Sequence, residues 1–341
     1  MFIRLLLKST IVIASACIVI TAVNAHGQDE PAVPPPPRAY PNPQPTSPSS
    51  TTPSQQTSGD DQAGVFVFKK EVQEVILHAT VVDDQRRLVT DLDRSAFSVY
   101  EDGALEAITS FHRDEIPVVM GILIDNSGSM REKRDTINQA VMKLIRASNP
   151  SDETFVVNFS SDSYLDQDFT SNLDLLQDAL KRVSIKGSTA LYDAVVASDV
   201  HLKNNPRLER KILLVITDGR DNASIETLQQ AARHLEQQNG PTLYAIGLLG
   251  DDLQESDTGA LKSLAQSTGG VAFFPRTLDE VNDIARSIAR DIRSQYTIGY
   301  KPSNPRGDIG YRTIRVEART QGHRQLMVRT RSGYYPGETL R

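Results

Sequence analysis

Asp125, Ser127 and Ser129 are spaced D-x-S-x-S at the end of an unbroken apolar run, Val118-Val119-Met120-Gly121-Ile122-Leu123-Ile124. One carboxylate and two hydroxyls at alternate positions suit a hard cation such as Mg2+, which takes oxygen ligands and keeps several waters. The run itself reads as a fully buried parallel strand that delivers polar side chains to a sheet edge, where ligands collect. Two more pieces are needed to complete an octahedron. Gly187-Ser188-Thr189-Ala190 stands ahead of an expected helix, and Thr217-Asp218-Gly219 follows a second apolar run, Ile212-Leu213-Leu214-Val215-Ile216. The same residues also have a plain structural reading, with Ser127, Ser129 and Thr189 as capping hydroxyls and Asp218 as a turn former.

An isolated D-x-S-x-S arises often by chance, and a Thr-Asp-Gly turn is usually only a turn. Together and in this order, however, the three motifs resemble the von Willebrand factor A family and its metal-ion-dependent adhesion site. The resemblance implies Ser127 and Ser129 as direct metal ligands and Thr189 as a ligand that engages with the bound partner. It implies Asp125 and Asp218 as holders of coordinated waters. The metal is expected to be Mg2+, with Mn2+ and Ca2+ as alternatives. Neutral hydroxyls and carboxylates acting through water leave the ion much of its charge, so an acidic side chain of a partner protein is the natural group to complete the shell.

Enzyme readings find less support. The six histidines form no H-E-x-x-H or H-x-x-E-H pair. Ser127 does not sit in G-x-S-x-G, because Asp125 and Ser129 occupy the glycine positions. A metal-assisted phosphohydrolase would use Asp125, but there is no phosphate loop, and Asp125 is followed two positions on by Ser127 and not by a second carboxylate. The expectation is a binding module and not an enzyme. A structural or assembly scaffold of the cell envelope with an incidental metal is the alternative, and a metal-dependent hydrolase is the third reading.

The N-terminus points to export. Arg4 and Lys8 precede an apolar stretch from Ile11 to Val23, and Val23-Asn24-Ala25 fits a small-residue cleavage site, so residues 1–25 read as a signal peptide. The stretch is short for a membrane span, and no integral span is expected after cleavage. Retention as an anchor and lipidation at Cys17 are the alternatives. Cys17 is the only cysteine, so the processed chain has no disulfide. Loss of Arg4 and Lys8 takes the net charge from −6 to −8, which disfavours nucleic acid as a partner. A periplasmic, cell-surface or secreted bacterial location follows. Residues 26–63, with Pro34-Pro35-Pro36-Pro37 and few apolar side chains, read as a disordered Pro/Ser/Thr-rich linker.

The elements that must position the motifs span 115–292. Helical stripes at Ile137, Val141, Leu144 and Ile145, and at Leu173, Leu176, Leu180 and Val183, alternate with strands at Thr154–Phe159, Leu243–Leu248 and Val271–Phe274. That order gives an α/β fold with a doubly wound, mainly parallel sheet. On either side, 64–114 and 293–341 read as β segments: Val65–Phe68 and Val72–Val82, the Glu101-Asp102-Gly103 turn, then Tyr296–Tyr300, Tyr311–Ala318 and Leu326–Arg329 with period two. Each alone is marginal for a core, so the two are expected to pack as one β module. Arg312, Arg315, Arg319, Arg324, Arg329 and Arg331 are assigned to its outward, solvated face. Phe97–Gly103, Arg293–Tyr300 and Ser332-Gly333-Tyr334-Tyr335-Pro336 resemble the bacterial exported subgroup called VWFA-related proteins, abundant in Acidobacteria.

Overall fold

β-branched residues alternating with period two set the first strand, β1 (Val75–Val82), and β2 (Phe97–Glu101) and β3 (Ala104–Glu106) form a hairpin. Its turn places Asp102 and Gly103 at φ 49° and 82°, the paired left-handed conformation that a two-residue hairpin loop requires. β4 (Ile108–His112) follows. The computed structural model describes residues 74–113, 116–182, 187–205, 210–250, 258–304, 310–321 and 325–337. The leader, the linker and the strand expected at 65–68 lie outside the described residues.

The central unit begins with β5 (Val118–Asp125), buried at every position as an unbroken apolar run demands. It continues through α1 (Arg134–Ala147), β6 (Glu153–Phe159), β7 (Ser163–Thr170), α2 (Leu173–Lys181), α3 (Leu191–Lys203) and β8 (Arg210–Thr217). Then come α4 (Leu228–Leu235), β9 (Thr242–Gly247), α5 (Gly259–Ser267), β10 (Ala272–Phe273) and α6 (Asp279–Arg293). The sheet order is β10-β9-β8-β5-β6-β7, parallel except for the antiparallel edge strand β7. The expected strand at 271–274 shrinks to the two residues of β10. Side chains on one face, including Ile122 and Ile124, pack with α1, α2 and α6; those on the other, including Leu123 and Phe155, pack with α3, α4 and α5. The fold is therefore a doubly wound α/β sheet. Local chemistry agrees with the helix starts: Asn172 caps α2, and Thr227 with Gln230 forms a capping box on α4.

β5 comes first in the chain among the strands of this sheet, and it has β6 on one side and β8 on the other. The strand order therefore reverses between β5 and β8, and Asp125 and Thr217 end those two strands. A crevice at such a reversal is where this architecture places ligands.

Of the remaining strands, β11 (Tyr296–Tyr300), β12 (Arg312–Ala318) and β13 (Met327–Arg329) pair with the first four, and β14 (Gly333–Tyr334) pairs with β12. Two four-stranded sheets result, β13-β1-β11-β4 and β14-β12-β2-β3, and they share one core that includes Leu77, Val99, Tyr296, Ile298 and Val316. Each such side chain contributes roughly 1.5–3 kcal/mol on burial. Glu101 is buried within it and accepts hydrogen bonds from the Tyr300 and Tyr334 hydroxyls and from Arg312 at 2.7 Å.

Arg312 and Arg331 depart from the outward assignment, for both are buried. Along β12, Arg312 falls in register with the inward Ile314 and Val316, and Glu101 supplies the counter-charge that makes the inward position tolerable. Arg331 lies in the connection between β13 and β14 and donates to the carbonyl of Leu235 at the end of α4.

Candidate metal centre

Three loops at the β5/β8 edge bring the polar side chains together. Asp125 closes β5, and its Oδ1 accepts the Ser127 amide at 2.8 Å, which bends the chain sharply into a short 3-10 turn at Gly128–Met130. Ser127 precedes that turn, but its hydroxyl makes no capping bond, so Oγ is directed to other partners. It lies 3.2 Å from Ser129 Oγ and 3.5 Å from Asp218 Oδ1, and Ser129 Oγ donates to Asp218 Oδ1 at 2.8 Å. Thr189 Oγ1 donates to Asp125 Oδ2 at 3.4 Å. Asp125 thus contacts Thr189, Asp218 contacts Ser127 and Ser129, and the three hydroxyl-bearing residues line a cleft. The cleft has a volume of about 380 Å³, and Gly128, Ser188 and Asn222 also line it.

Neighbours without a place in the D-x-S-x-S, Thr and Asp pattern hold this set in position. Thr217 Oγ1 donates to Asp125 Oδ2 at 2.6 Å. Asn222 pins the Thr189 loop from both sides, its side chain accepting the Thr189 amide at 2.8 Å and its own amide donating to Thr189 O at 3.0 Å. Gly219 keeps the crevice open: a Cβ there would come within 3.2 Å of Thr189 Oγ1. Arg134, buried at the start of α1, donates to Asp125 O and to the Asn158 side chain, and burial lowers its pKa to about 10.

Lys133 is the residue that motif reading overlooked. Its ammonium forms an ion pair with Asp218 Oδ2, while its side chain stays 28% exposed. The available signal was its place four residues after Ser129, at the start of the helix that follows the first loop. Asp125 and Asp218 are both essentially inaccessible to solvent. Burial raises the pKa of Asp125, and hydrogen bonds from Thr217 and Ser127 oppose that shift.

The donor set fits a hard divalent cation. All candidate ligand atoms are oxygens, and of the two buried carboxylates Asp218 is ion-paired with Lys133 whereas Asp125 accepts hydrogen bonds from an amide and two hydroxyls, which leaves negative charge for a cation to neutralise. Among the described residues no group of three or more His, Cys, Asp or Glu is positioned to hold a metal, so a thiolate- or imidazole-based site has no counterpart there.

A comparison with curated proteins returns no match. Solved structures offer distant likenesses. A von Willebrand factor type A protein from Catenulispora acidiphila is 15% identical over 80% of this chain and 76% of its own, with a TM-score of 0.46. Proximal thread matrix protein 1 from the mussel byssus, in a structure described as having a zinc-occupied MIDAS motif, is 19% identical over 55% of this chain and 48% of its own, with a TM-score of 0.45. The PilB minor pilin from Streptococcus sanguinis is 12% identical over 53% of this chain, with a TM-score of 0.44, and this chain spans 62% of its length. Among family descriptions, the von Willebrand factor type A domain matches residues 120–220, a stretch that holds Asp125, Ser127, Ser129, Thr189 and Asp218.

Proposed function

We propose that the chain is an exported, divalent-metal-dependent protein-binding module whose metal is completed by an acidic residue of a partner. The observation that carries this reading is that Ser127, Ser129 and Thr189 line one cleft from two separate loops, with the buried carboxylates of Asp125 and Asp218 hydrogen-bonded to their hydroxyls. In this reading Ser127, Ser129 and Thr189 offer hydroxyl oxygens to the ion, and Asp125 and Asp218 hold its waters. A bound Mg2+, or Mn2+ or Ca2+ in its place, would supply a positive centre that attracts a carboxylate. Thr189 is positioned to respond to the partner, because its loop is fastened to Asn222 while its hydroxyl makes only a long contact with Asp125. Lys133 must release Asp218 for the ion to enter, and its partly exposed side chain has solvent to turn into.

No helix among the described residues is long and apolar enough to cross a membrane. Export rests on the leader, and a linker at 26–63 would hold the folded part away from a membrane or wall. We place the domain boundaries at residues 114/115 and 292/293, and on the flanking motifs we align the chain with the exported VWFA-related subgroup. The reading is non-enzymatic.

The Lys133–Asp218 pair favours a second reading, a cell-envelope scaffold that keeps its shape through its own ammonium and carries a metal only incidentally. Pull-down from an envelope extract, with and without EDTA, separates the two. Capture that is lost in EDTA and restored by Mg2+ supports the metal-dependent module; capture indifferent to EDTA supports the scaffold.

A further inference from the structure

The sheet β13-β1-β11-β4 has two unlike faces. Val75, Leu77, Ile298 and Tyr300 enter the shared core, whereas Ile76, His78, Ser110, His112 and Thr297 line a cavity of about 590 Å³. The far side of that cavity is built from Lys211 at the start of β8, Thr242 at the start of β9, and Thr330 and Arg331 between β13 and β14. It therefore sits at the ends of the parallel strands opposite to those that carry Asp125 and Asp218.

The lining of this cavity calls for a ligand of negative charge. Arg331 is only 7% exposed, and its guanidinium donates to Leu235 O at 3.1 Å. Among the described residues no carboxylate lies within ion-pair distance of it. Glu236 acts on it only from farther away, and burial pulls its pKa below the usual arginine range. A buried cation without an adjacent anion is costly, so such groups ordinarily have one. Thr330 Oγ1, on the same wall, is buried and has no hydrogen-bond partner. His78 is held neutral, its pKa lowered to about 3 first by burial and then by the charges of Arg210 and Arg331, which marks the local field as positive. Glu74, the carboxylate on the lining, is already engaged by the hydroxyls of Thr109 and Ser110. Lys211, half-buried, adds a second positive charge to the wall, although Asp199 partly offsets it.

We propose that this cavity binds a small organic anion, a carboxylate or a phosphate, seated on Arg331 with Thr330 and Lys211 as further donors and Ile76 and Ile116 against its carbon skeleton. A cavity of this size is in the range of small-molecule sites and exceeds what inorganic phosphate alone would fill. This cavity shares no lining residue with the cleft beside Asp125 and Asp218.

The test is calorimetry on the full chain in buffer free of metal and chelator, titrated with inorganic phosphate and separately with succinate, with chloride at matched ionic strength as control. A saturable heat from one of the two is expected, and which one responds identifies the head group. Arg331→Gln should weaken it roughly tenfold or more, as loss of a charged hydrogen-bonding partner does. Because a buried arginine variant can misfold, Lys211→Gln is the second arm and should weaken binding several-fold. No saturable heat beyond the chloride control from either anion would overturn the proposal and leave the cavity a solvent-filled crevice. Binding that is unchanged in Lys211→Gln would overturn it as well, by placing the anion elsewhere.

Discussion

Two buried carboxylates and one lysine set the charge at the candidate metal centre. Lys133 neutralises Asp218 through a direct ion pair, so an arriving cation must displace an ammonium as well as shed water. Calorimetry with Mg2+ should show a single site of modest affinity, absent in the Asp125→Ala, Ser127→Ala double mutant; equal heats from both proteins would sink the assignment. Lys133→Met should tighten Mg2+ by roughly three- to tenfold, since the competing charge is gone. Weaker Mg2+ binding in that variant would mean that Lys133 helps to build the site. The D-x-S-x-S, Thr and Asp positions were legible as three strand-end motifs and through the family resemblance those motifs carry, but Lys133 was not, because a lysine at the start of a helix carries no mark of where its long side chain will reach. His78 gives a separate readout. Its ordinary pKa of 6.5 falls to about 3 in the fold, so the unfolded chain takes up a proton over that interval and the folded chain does not. The stability due to neutral His78 is present above pH 6.5 and is lost progressively as pH falls toward 3. Denaturant midpoints measured between about pH 6.5 and 4.5 should decline less steeply in His78→Gln, by about one proton's worth of slope. Parallel profiles for wild type and variant would show that His78 does not titrate in this way.

At the scale of elements, the apolar runs of β5 and β8 were the most legible feature, because a strand covered on both faces has no freedom to include a polar residue until it ends. Gly121 stands within the β5 run for a reason only packing reveals. A Cβ there would come within 2.3 Å of the Phe155 ring and 2.7 Å of Leu213. Composition alone was weaker in the flanks. Six arginines suggested a solvated face, yet period two already put Arg312 in line with Ile314 and Val316, and only the buried Glu101 explains how a guanidinium is accommodated there. Which strands pair was not written locally at all. β11 lies between β1 and β4, with Leu77 opposite Ile298 and Phe111 opposite the same residue on the other side. Deleting residues 293–341 removes this central strand and exposes the core faces of β1 and β4. Limited proteolysis of the truncated chain should then cut within 74–113 at least about tenfold faster than in the full chain, because local opening no longer costs the shared core. Equal protection of that segment would show the N-terminal strands to be stable on their own.

On the scale of the whole molecule, the two ends of the parallel sheet have different neighbours. The β segments join the central unit through β4 into β5 and through α6 into β11, at the ends of the strands remote from Asp125 and Asp218. The edge that carries the cleft is left to loops: the turn after β5, the Gly187–Thr189 segment, and the loop after β8 that Asp193 fastens through the amides of Ile225 and Glu226. That loop holds Ile225 at 93% exposure near the N-terminus of α3, an apolar contact available to a partner that reaches the cleft. A carboxylate from the partner would meet the metal while the surrounding loops, already fastened, supply the contact area at little ordering cost. Thr189→Ala removes the hydroxyl proposed to engage as that carboxylate arrives, and Asp218→Ala removes a buried charge proposed to hold the metal's waters. Each should weaken partner binding at least about tenfold in Mg2+, and amidation of the partner's acidic residue should match the loss. Ile225→Ser should cost less, and its effect should persist in the Thr189→Ala background because it acts through a different contact. Partner affinity measured by surface plasmon resonance that stays the same in Thr189→Ala, in Asp218→Ala and after amidation would move the binding surface away from this edge and onto the β segments.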